Sequence, residues 1–418
     1  MTGEVGAGGR RLVGDGPVTG RRSGTAGRFR HQSVTQTAIM SLMQSTMRAL
    51  AVHPGQTDSL HGRDVRLPEA GDVPDGRGVL VRVLQVGVDG TDREIIKAQV
   101  GTAPPHDDFL ILGHENLGQV VEVGPNVPTS IRPGGLVVST VRRPGSSIYD
   151  QVGLQDFTTD DIAHERGINL LHGYLSEYYV EDAMYVVPLP AVLQDVGVLL
   201  EPITVAEKGV NQAYEIQRRL RVWQARRAVV TGAGSIGLLT ALVLRLRGLE
   251  VVVYSRRPAP YRSSDMAEAI GARYVSSQDH TLADAARLFG PFDIAFEATG
   301  FSPLGFEAAE ALGRNGVLVL ASVTGGSRMI QVDANRFNQG FVLGNKVMVG
   351  TVNASRRDFE AGVADLVQAE ANWPGWLGRF LTTRIDGLGD PDAIRRHLED
   401  DDDAIKVFVE IAKRQPSV

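Results

Sequence analysis

The sequence contains no cysteine among its 418 residues. Disulfides, cysteine-ligated zinc ribbons, iron–sulfur clusters and cysteine nucleophiles are therefore excluded. Any bound metal must be held by histidine, aspartate and glutamate side chains. Lysine is nearly as scarce, and the bias towards arginine indicates codon composition rather than function. The lysines are Lys97, Lys208, Lys346, Lys406 and Lys413.

Long apolar runs and an excess of positive charge are also missing. No apolar run approaches the roughly 18 residues from which a membrane-spanning helix is built. With a net charge of −6, the chain lacks the excess of basic residues that is typical of nucleic-acid-binding proteins. We therefore expect a cytoplasmic protein without membrane or nucleic-acid partners. Its length and its 43% hydrophobic residues suffice for two domains with sizeable cores.

Residues 1–46 differ in composition from the remainder of the chain. Glycine, arginine, serine and threonine dominate them, and no apolar periodicity is visible. Because such a segment cannot bury enough surface to offset the entropy of ordering, we predict a disordered N-terminal extension. It lacks the apolar stretch of a secretory signal, while a transit peptide and an upstream start codon stay open. From Met47 the segment MRALAV alternates like a first strand.

Hydrophobic patterning divides the rest of the chain into two kinds of structure. Up to about Val187 the chain forms short strands and turns, as in VLVRVLQVGV at 79–88. From Ala228 onward, the apolar strands AVVTGAG, EVVVYS, FDIAFEATG, GVLVLAS and KVMVGTV alternate with helical stretches. Such alternation predicts a parallel sheet with helices on both faces. The predicted fold class is α/β, with a β-rich region before a doubly wound parallel sheet.

A glycine pattern, Gly232-Ala-Gly234-Ser-Ile-Gly237, follows the strand AVVT and opens an amphipathic helix. In this strand–turn–helix context the pattern indicates a Rossmann dinucleotide site. The first glycine makes the tight turn, and the second lets the backbone approach a pyrophosphate at the helix N-terminus. The third permits close helix–strand packing. The alternative is a turn whose glycines serve packing alone.

The end of the second strand, EVVVYSRRP, predicts which dinucleotide binds. An NAD site usually has an acidic residue here to accept from the ribose 2′-hydroxyl. This chain has Ser255, Arg256 and Arg257 instead. A hydroxyl and two guanidinium groups suit a 2′-phosphate, so the sequence favours NADP, with NAD as the alternative. The competing interpretation is that one of the arginines merely faces solvent.

Three short stretches upstream of the glycine pattern carry residues suited to chemistry. They are Val88-Asp89-Gly90-Thr91-Asp92, Gly113-His114-Glu115 and Glu201-Pro-Ile-Thr-Val-Ala-Glu207-Lys208. Taken singly, each has an ordinary explanation as a turn, a capped loop or the start of a helix. Their order, followed by the dinucleotide fingerprint, favours a common functional site.

These motifs resemble those of zinc-dependent medium-chain dehydrogenases, and within them the archaeal-type glucose 1-dehydrogenases. The segments that carry the resemblance run from Met47 to the C-terminus: VGVDGTDREI, LGHENLGQVVEVG, VRRPG, HERGINLLHGYLSEYYV, LLEPITVAEKG, TGAGSIGL, YSRRP, EATG and NKVMVGTVNAS. The resemblance implies a GroES-like catalytic domain over residues 47–195 and 354–418. It implies an NADP-binding Rossmann domain over residues 196–353.

The resemblance also implies a single catalytic zinc ion, held by Asp89, His114, Glu115 and Glu201. Asp89 stands where most of the superfamily has a cysteine, and a carboxylate is a competent zinc ligand. Whether Glu115 binds directly or through water stays open. The implied catalytic residues are Thr91, His114 and Glu115, and the substrate's proton is expected to leave through Thr91, Glu115 or a zinc-bound water. The implied sugar-binding residues are Thr91, Glu165, Glu201 and Asn353.

A larger set of residues is expected to line the cofactor. It comprises Gly232, Gly234, Ser235, Ile236, Gly237, Leu238, Ser255, Arg256, Arg257, Thr299, Gly300, Phe301, Ala321, Ser322, Val323, Thr351, Val352 and Asn353.

One departure from the superfamily concerns the lobe that often holds a structural zinc with four cysteines. Since SSIYDQVGLQDFTTDD follows VRRPG here, without cysteine, we infer that the chain has no structural zinc.

The implied activity is oxidation of an aldose, D-glucose at C1 to gluconolactone, with NADP⁺ or NAD⁺ as hydride acceptor. Carboxylates at Glu115, Glu165 and Glu201 suit a polyhydroxylated substrate, because a simple apolar alcohol would leave buried acceptors unpaired. The same chemistry on galactose, xylose or a sorbitol-type polyol stays open, as does a metal-free NADPH-binding regulator. A homodimer or homotetramer is expected, since the family associates through the last Rossmann strand.

Overall fold

The first strand begins at Thr46, one residue before the predicted start of the folded chain. This computed structural model describes residues 45–323, 325, 327–400 and 404–415. The predicted disorder of residues 1–46 thus lies almost entirely outside the described residues. From Thr46 onward the chain forms one compact unit. Among the described residues, no helix has both the length and the apolar character to cross a membrane.

Strands account for most of the regular structure in the N-terminal half. In chain order they are β1 (Thr46–Val52), β2 (His61–Arg66), β3 (Gly78–Val88), β4 (Leu110–Ile111), β5 (Glu115–Val123), β6 (Leu136–Ser139), β7 (Arg142–Arg143), β8 (His164–Arg166), β9 (Leu170–Leu171), β10 (Tyr178–Asp182), β11 (Val186–Leu189), β12 (Arg227–Thr231), β13 (Glu250–Ser255), β14 (Arg273–Ser276), β15 (Phe292–Glu297), β16 (Leu312–Leu320), β17 (Val347–Gly350), β18 (Leu381–Asp386) and β19 (Lys406–Glu410).

Helices are concentrated in the C-terminal half. The α-helices are α1 (Gly90–Ile96), α2 (Ile148–Gln151), α3 (Leu200–Gln217), α4 (Ser235–Leu246), α5 (Arg262–Ala269), α6 (Leu282–Phe289), α7 (Ser302–Ala311), α8 (Ala334–Gly344), α9 (Arg356–Asn372) and α10 (Pro391–Asp400). Short 3₁₀ helices cover Ala70–Asp72, Pro74–Gly76, Gln155–Phe157, Ala183–Tyr185, Ala191–Leu193, Gly197–Leu199, Arg218–Leu220 and Leu377–Phe380.

The largest sheet of the β-rich region has the strand order β11-β6-β5-β3-β19-β18, with β10 also paired to β3. Strand β3 confirms the strand predicted at 79–88 and is buried along most of its length. The C-terminal strand β19 runs antiparallel to β3 and pairs Val407 with Val88. Residues more than 300 positions apart therefore meet where β3 ends, just before Asp89.

The second large sheet is parallel throughout, with the order β14-β13-β12-β15-β16-β17. Five of its strands confirm predicted ones, whereas β14 was not predicted because RYVS lacks an apolar run. The strand order reverses between β12 and β15. Ligands of such sheets bind at the carboxyl ends of the strands beside this reversal. The topology thus directs attention to the loops after β12, β13, β15, β16 and β17.

A small three-stranded sheet of β7, β8 and β9 forms the base of a lobe that extends through residues 144–163. Buried ion pairs hold this base: Arg143 and Arg166 both contact the carboxylate of Glu181. Burial opposes the charge of Glu181, but the two guanidinium groups lower its pKa. The base carries Arg142 and Glu165, which form a second ion pair beside the first.

Candidate active site and cofactor site

Three predicted metal ligands converge at one end of the β-rich sheet. One ligand atom from each of Asp89, His114 and Glu115 lies within 4.8 Å of the other two. Asp89 directly follows β3 as the N-cap of α1, and its carboxylate accepts from the backbone N–H of Thr91 at 2.8 Å. Glu115 opens the neighbouring strand β5. Adjacent strand ends thus bring together residues 25 positions apart in sequence.

The site has the electrostatic character of a cation site. Burial opposes protonation of His114, yet the carboxylates of Asp89, Asp92, Glu201 and Glu115 raise its pKa to about 9. Two buried polar atoms, Nδ1 of His114 and Oε2 of Glu115, have no hydrogen-bond partner among the described residues. Carboxylate oxygens and an imidazole nitrogen are zinc ligands, so the residues present fit a zinc ion.

Asp92 supports this site, although the sequence analysis did not single it out. It is fully buried, accepts from the backbone N–H of Gly113 at 3.2 Å and lies 3.9 Å from Nδ1 of His114. Burial raises the pKa of Asp92 to about 7. At 3.9 Å the Asp92 carboxylate acts on the His114 ring through its charge and not through a hydrogen bond. The Asp89-x-x-Asp92 spacing is that of a capping box, a signal that could have identified Asp92.

Lys406 is a second supporting residue that the sequence analysis missed. Its ammonium forms an ion pair with Oε1 of Glu115, and both side chains are 2% exposed. Burial opposes the charge of Lys406, but Glu115 and Asp89 raise its pKa. Gly87 leaves room for this pair, since a Cβ there would lie 1.9 Å from Oε2 of Glu115. Lysine is rare in this sequence, and that rarity was the only feature of the sequence that could have drawn attention to Lys406.

We expect Lys406→Met to destabilise the metal-free protein strongly. Removing one partner of a buried ion pair leaves the other charge uncompensated, which costs about 3–5 kcal/mol of unfolding free energy. Urea denaturation of the zinc-free protein measures this loss, with Lys413→Met as the exposed control. Adding Glu115→Gln to Lys406→Met should restore part of the stability. If that double variant is less stable than Lys406→Met alone, the pair does not behave as assigned.

The remaining predicted residues of the zinc site lie nearby. Glu201 lies in the first turn of α3 and is buried, which raises its pKa to about 8 against the attraction of His114. Its oxygens are not part of the group within 4.8 Å, although Glu115 and Asp89 also act on its charge. Thr91, in the first turn of α1, is half-buried. The structure therefore brings three of the four predicted ligands together, and the fourth, Glu201, lies outside that group.

Glu165 and Asn353, the predicted sugar-binding pair, are in direct contact. Asn353 Nδ2 donates to Oε1 of Glu165 at 3.1 Å, although the residues are 188 positions apart. Arg142 donates to the same oxygen from Nε and Nη2, at 3.1 and 2.9 Å. Asn169 donates to Oε2 at 3.1 Å. Glu165 is therefore held rigidly, and Oε2 keeps capacity for a further donor.

The glycine turn has the geometry that its sequence predicted. Gly232 has a φ of +106°, a conformation that favours glycine. A Cβ on Gly237 would lie 2.1 Å from the carbonyl oxygen of Gly232, so only glycine allows this helix–strand contact. Gly234 is the N-cap of α4 and has open space where a Cβ would point. A pyrophosphate can therefore approach the N-terminus of α4.

A cavity of about 520 Å³ connects the glycine turn to the predicted 2′-phosphate residues. Its walls include Gly234, Ser255, Arg256, Arg257 and Tyr261. The guanidinium group of Arg257 lies over the ring of Tyr261, 4.7 Å from its centroid. The glycine turn and the residues predicted to bind the 2′-phosphate therefore line the same cavity.

The other predicted cofactor residues lie at the carboxyl ends of parallel strands. Residues 299–301 follow β15, residues 321–323 follow β16, and residues 351–353 follow β17. Ser235, Ile236 and Leu238 open α4, where the side chain of Leu238 is fully buried in the core. Leu238 therefore has only its backbone to offer a cofactor.

Comparison with known proteins agrees with the fold and the site. The family model described as the glucose dehydrogenase C-terminus matches residues 194–411. The model described as the alcohol dehydrogenase GroES-like domain matches residues 75–191. These matches confirm the predicted combination of a GroES-like region with a Rossmann sheet. Fold and site together define a zinc-dependent medium-chain dehydrogenase.

Individual relatives narrow the class further. The chain is 41% identical to a glucose 1-dehydrogenase of Methanocella arvoryzae over 367 residues, which cover 87% of this chain and 99% of the relative. The structure of Haloferax mediterranei glucose dehydrogenase in complex with NADP, Zn and gluconolactone has a TM-score of 0.77 and 35% identity. That match covers 88% of this chain and 100% of the other. The chain belongs to the glucose 1-dehydrogenase family.

Proposed function

We propose that the protein oxidises D-glucose at C1 to gluconolactone, with NADP⁺ as hydride acceptor and one zinc ion in its site. The observation that carries this proposal is the convergence of Asp89, His114 and Glu115 beside two unpartnered buried polar atoms. The Haloferax mediterranei structure supports it, since that relative holds NADP, Zn and gluconolactone. Ser255, Arg256 and Arg257 support NADP as the cofactor because their cavity reaches the glycine turn.

In this proposal, Asp89, His114 and Glu115 would hold the zinc, and Glu201 would complete the set of ligands directly or through water. Zinc bound there supplies Lewis-acid polarisation of the sugar's C1 oxygen. Bound NADP⁺ supplies the hydride acceptor. The Thr91 hydroxyl would accept the C1 hydroxyl proton while it donates its own proton to water, so that it relays the proton without changing its own charge.

Glu165 and Asn353 orient the sugar in the same proposal. Arg142, Asn169 and Asn353 hold the Glu165 carboxylate in one position. Its remaining acceptor capacity lies on Oε2, which would accept from a sugar hydroxyl. A carboxylate held in this way discriminates against apolar alcohols, because they would leave it without a donor.

The test is NADPH formation with a panel of aldoses and polyols, with zinc quantified in the same sample. We expect turnover of glucose that a chelator abolishes and added zinc restores. Turnover of another sugar alone would keep the mechanism and change the substrate. Bound NADPH with neither zinc nor turnover would replace the proposal with a cofactor-binding protein that has no catalysis.

We also propose the division into a catalytic domain, residues 47–195 and 354–418, and a Rossmann domain, residues 196–353. Pairing of β19 with β3 supports returning the C-terminal segment to the catalytic domain. The parallel sheet lies entirely between Arg227 and Gly350, which supports the limits of the second domain. Limited proteolysis at the predicted boundaries tests this division.

We further propose a homodimer formed through the edge strand β17. Within the described residues β17 pairs only with β16. The exposed apolar side chains Val342, Leu343 and Met348 lie on and beside this edge. An unpaired edge strand with an apolar surface favours pairing with a second copy.

Leu343→Lys combined with Met348→Lys should convert this dimer to a monomer, because charged side chains would be buried without partners. Light scattering after size-exclusion chromatography gives the mass in solution. Val192→Lys combined with Val222→Lys is the matched control, since these valines are also exposed but lie elsewhere. A dimer that survives the first pair of substitutions would rule out β17 as the interface.

A further inference from the structure

Lys208 ends the motif EPITVAEK and has no part in the mechanism above. It lies on α3 and is only 3% exposed. Its ammonium donates to the backbone carbonyls of Asp156 at 2.9 Å and Val352 at 2.8 Å, and it lies 2.9 Å from Oδ2 of Asp156. The three N–H groups of the ammonium match these three acceptors. Lys208 therefore joins the lobe, which contains Asp156, to the loop after β17, which contains Val352.

The contact with Val352 fixes the peptide bond that precedes Asn353. Asn353 has a φ of +56°, in the left-handed region that asparagine adopts more readily than most residues other than glycine. Rotation of the peptide plane between Val352 and Asn353 would change this φ, and the hydrogen bond from Lys208 opposes that rotation. In this conformation the side chain of Asn353 donates to Glu165 at 3.1 Å and accepts from the backbone N–H of Ala354 at 2.8 Å. The direction of the Asn353 side chain thus depends on the peptide that Lys208 holds.

The lobe end of this connection is linked to the same sugar-binding pair. Nη1 of Arg142 donates at 3.4 Å to the carbonyl of Asp156, the oxygen that Lys208 also contacts. The same arginine forms the ion pair with Glu165. Arg142, Asp156, Glu165 and Val352 all line one cavity of about 600 Å³. Lys208 therefore contacts two residues of this wall, one from the lobe and one from the loop after β17.

We propose that Lys208 is a positioning residue for glucose oxidation: it holds the peptide between Val352 and Asn353 and thereby keeps the Asn353 side chain directed at Glu165 and the sugar. Asn353 and Glu165 contact the sugar, and Lys208 acts through the peptide bond that precedes Asn353. This inference rests on the proposed function, which assigns Glu165 and Asn353 to the sugar. It gives the last residue of EPITVAEK a role that is separate from the zinc site.

Lys208→Met keeps the length of the side chain and removes its three N–H donors. We expect kcat/KM for glucose to fall about 100-fold, because a misplacement of about 1 Å in a group that positions the substrate has an effect of that size. The affinity for NADPH should stay near that of wild type, since the residues that line the cofactor cavity are unchanged. Lys346→Met is the matched control and should leave kcat/KM unchanged. The ammonium of Lys346 also donates to backbone carbonyls, those of Ala309 at 3.0 Å and Glu310 at 3.5 Å, but it lines neither of the two cavities.

A double-mutant cycle with Asn353→Gly separates positioning from a general loss of structure. Glycine removes the side chain of Asn353 and tolerates its positive φ. If Lys208 acts through that side chain, adding Lys208→Met to Asn353→Gly should lower kcat/KM by less than about threefold, far less than the same substitution does in wild type. A general loss of structure would act equally in both backgrounds.

Each outcome decides the inference. An unchanged kcat/KM in Lys208→Met, or an equal loss in both backgrounds, would make Lys208 a structural residue and leave the glucose assignment intact. A wild-type protein that neither oxidises an aldose nor is stabilised by one against heat would overturn the proposed function and this inference together. If Lys208→Met does not fold, combining it with Asp156→Asn removes both buried charges. That double variant should show the same loss of kcat/KM, and almost none of it beside Asn353→Gly; a kcat/KM equal to that of wild type would contradict the inference.

Discussion

His114→Ala lowers kcat/KM for glucose by at least about 10³-fold, because the zinc site loses its only imidazole and several kcal/mol of charge stabilisation with it. Asp89→Ala has the same effect, since Asp89 is the N-cap of α1 and one of the three converging ligands. Zinc content falls well below one ion per chain in both variants. The affinity for NADPH, measured by fluorescence titration, stays near that of wild type.

The control for these variants is His280→Ala, which removes an exposed imidazole from the Rossmann region. It should retain full zinc content and turnover. The assignment of His114 and Asp89 to the zinc site and not to the cofactor site is wrong if either variant loses affinity for NADPH in proportion to its loss of turnover. That result would mean that zinc organises the cofactor site as well as the substrate site.

Arg256→Ala combined with Arg257→Ala weakens NADP binding about 100-fold and NAD binding only slightly. Hydrogen bonds to a charged group contribute about 1.5–3 kcal/mol each, and exposure of the arginines reduces the sum. Because NAD lacks the 2′-phosphate, removing the two arginines takes no phosphate contact away from it, and its affinity should change little. Titration of both dinucleotides against the variant and wild type gives the two ratios.

Arg221→Ala combined with Arg226→Ala removes the same charge from exposed positions outside the cofactor cavity. This control separates the local contact from the general effect of net charge on a phosphorylated ligand. Equal losses for NADP and NAD in the Arg256–Arg257 variant would show that these arginines do not recognise the 2′-phosphate.

Local patterns predicted the parallel sheet and the glycine turn because their causes are local. The positive φ of Gly232 and the close packing at Gly237 depend on a few neighbouring residues. Apolar runs likewise marked β12, β13, β15, β16 and β17 before their partners were known. Strand β14 was missed because its four residues gain their burial from β13 and not from their own composition.

The types of the site residues were also readable from the sequence, chiefly through the resemblance to known dehydrogenases. That reasoning named Asp89, His114 and Glu115, which the structure brings within 4.8 Å. It named Glu165 and Asn353, which the structure joins by a hydrogen bond. The residue types agree with these roles, but the resemblance was needed to assign them, because each motif taken singly also has an ordinary explanation as a turn, a loop or a helix start.

Only the tertiary structure decided which charges neutralise one another. Lys406 contacts Glu115 from 291 positions away because β19 returns to pair with β3, and Lys208 contacts Asp156 from 52 positions away. No local pattern encodes such pairs, since burial makes a partner necessary but does not name it. Sequence thus determined the turn, the strands and the kinds of ligand. The fold determined the partners of the buried charges.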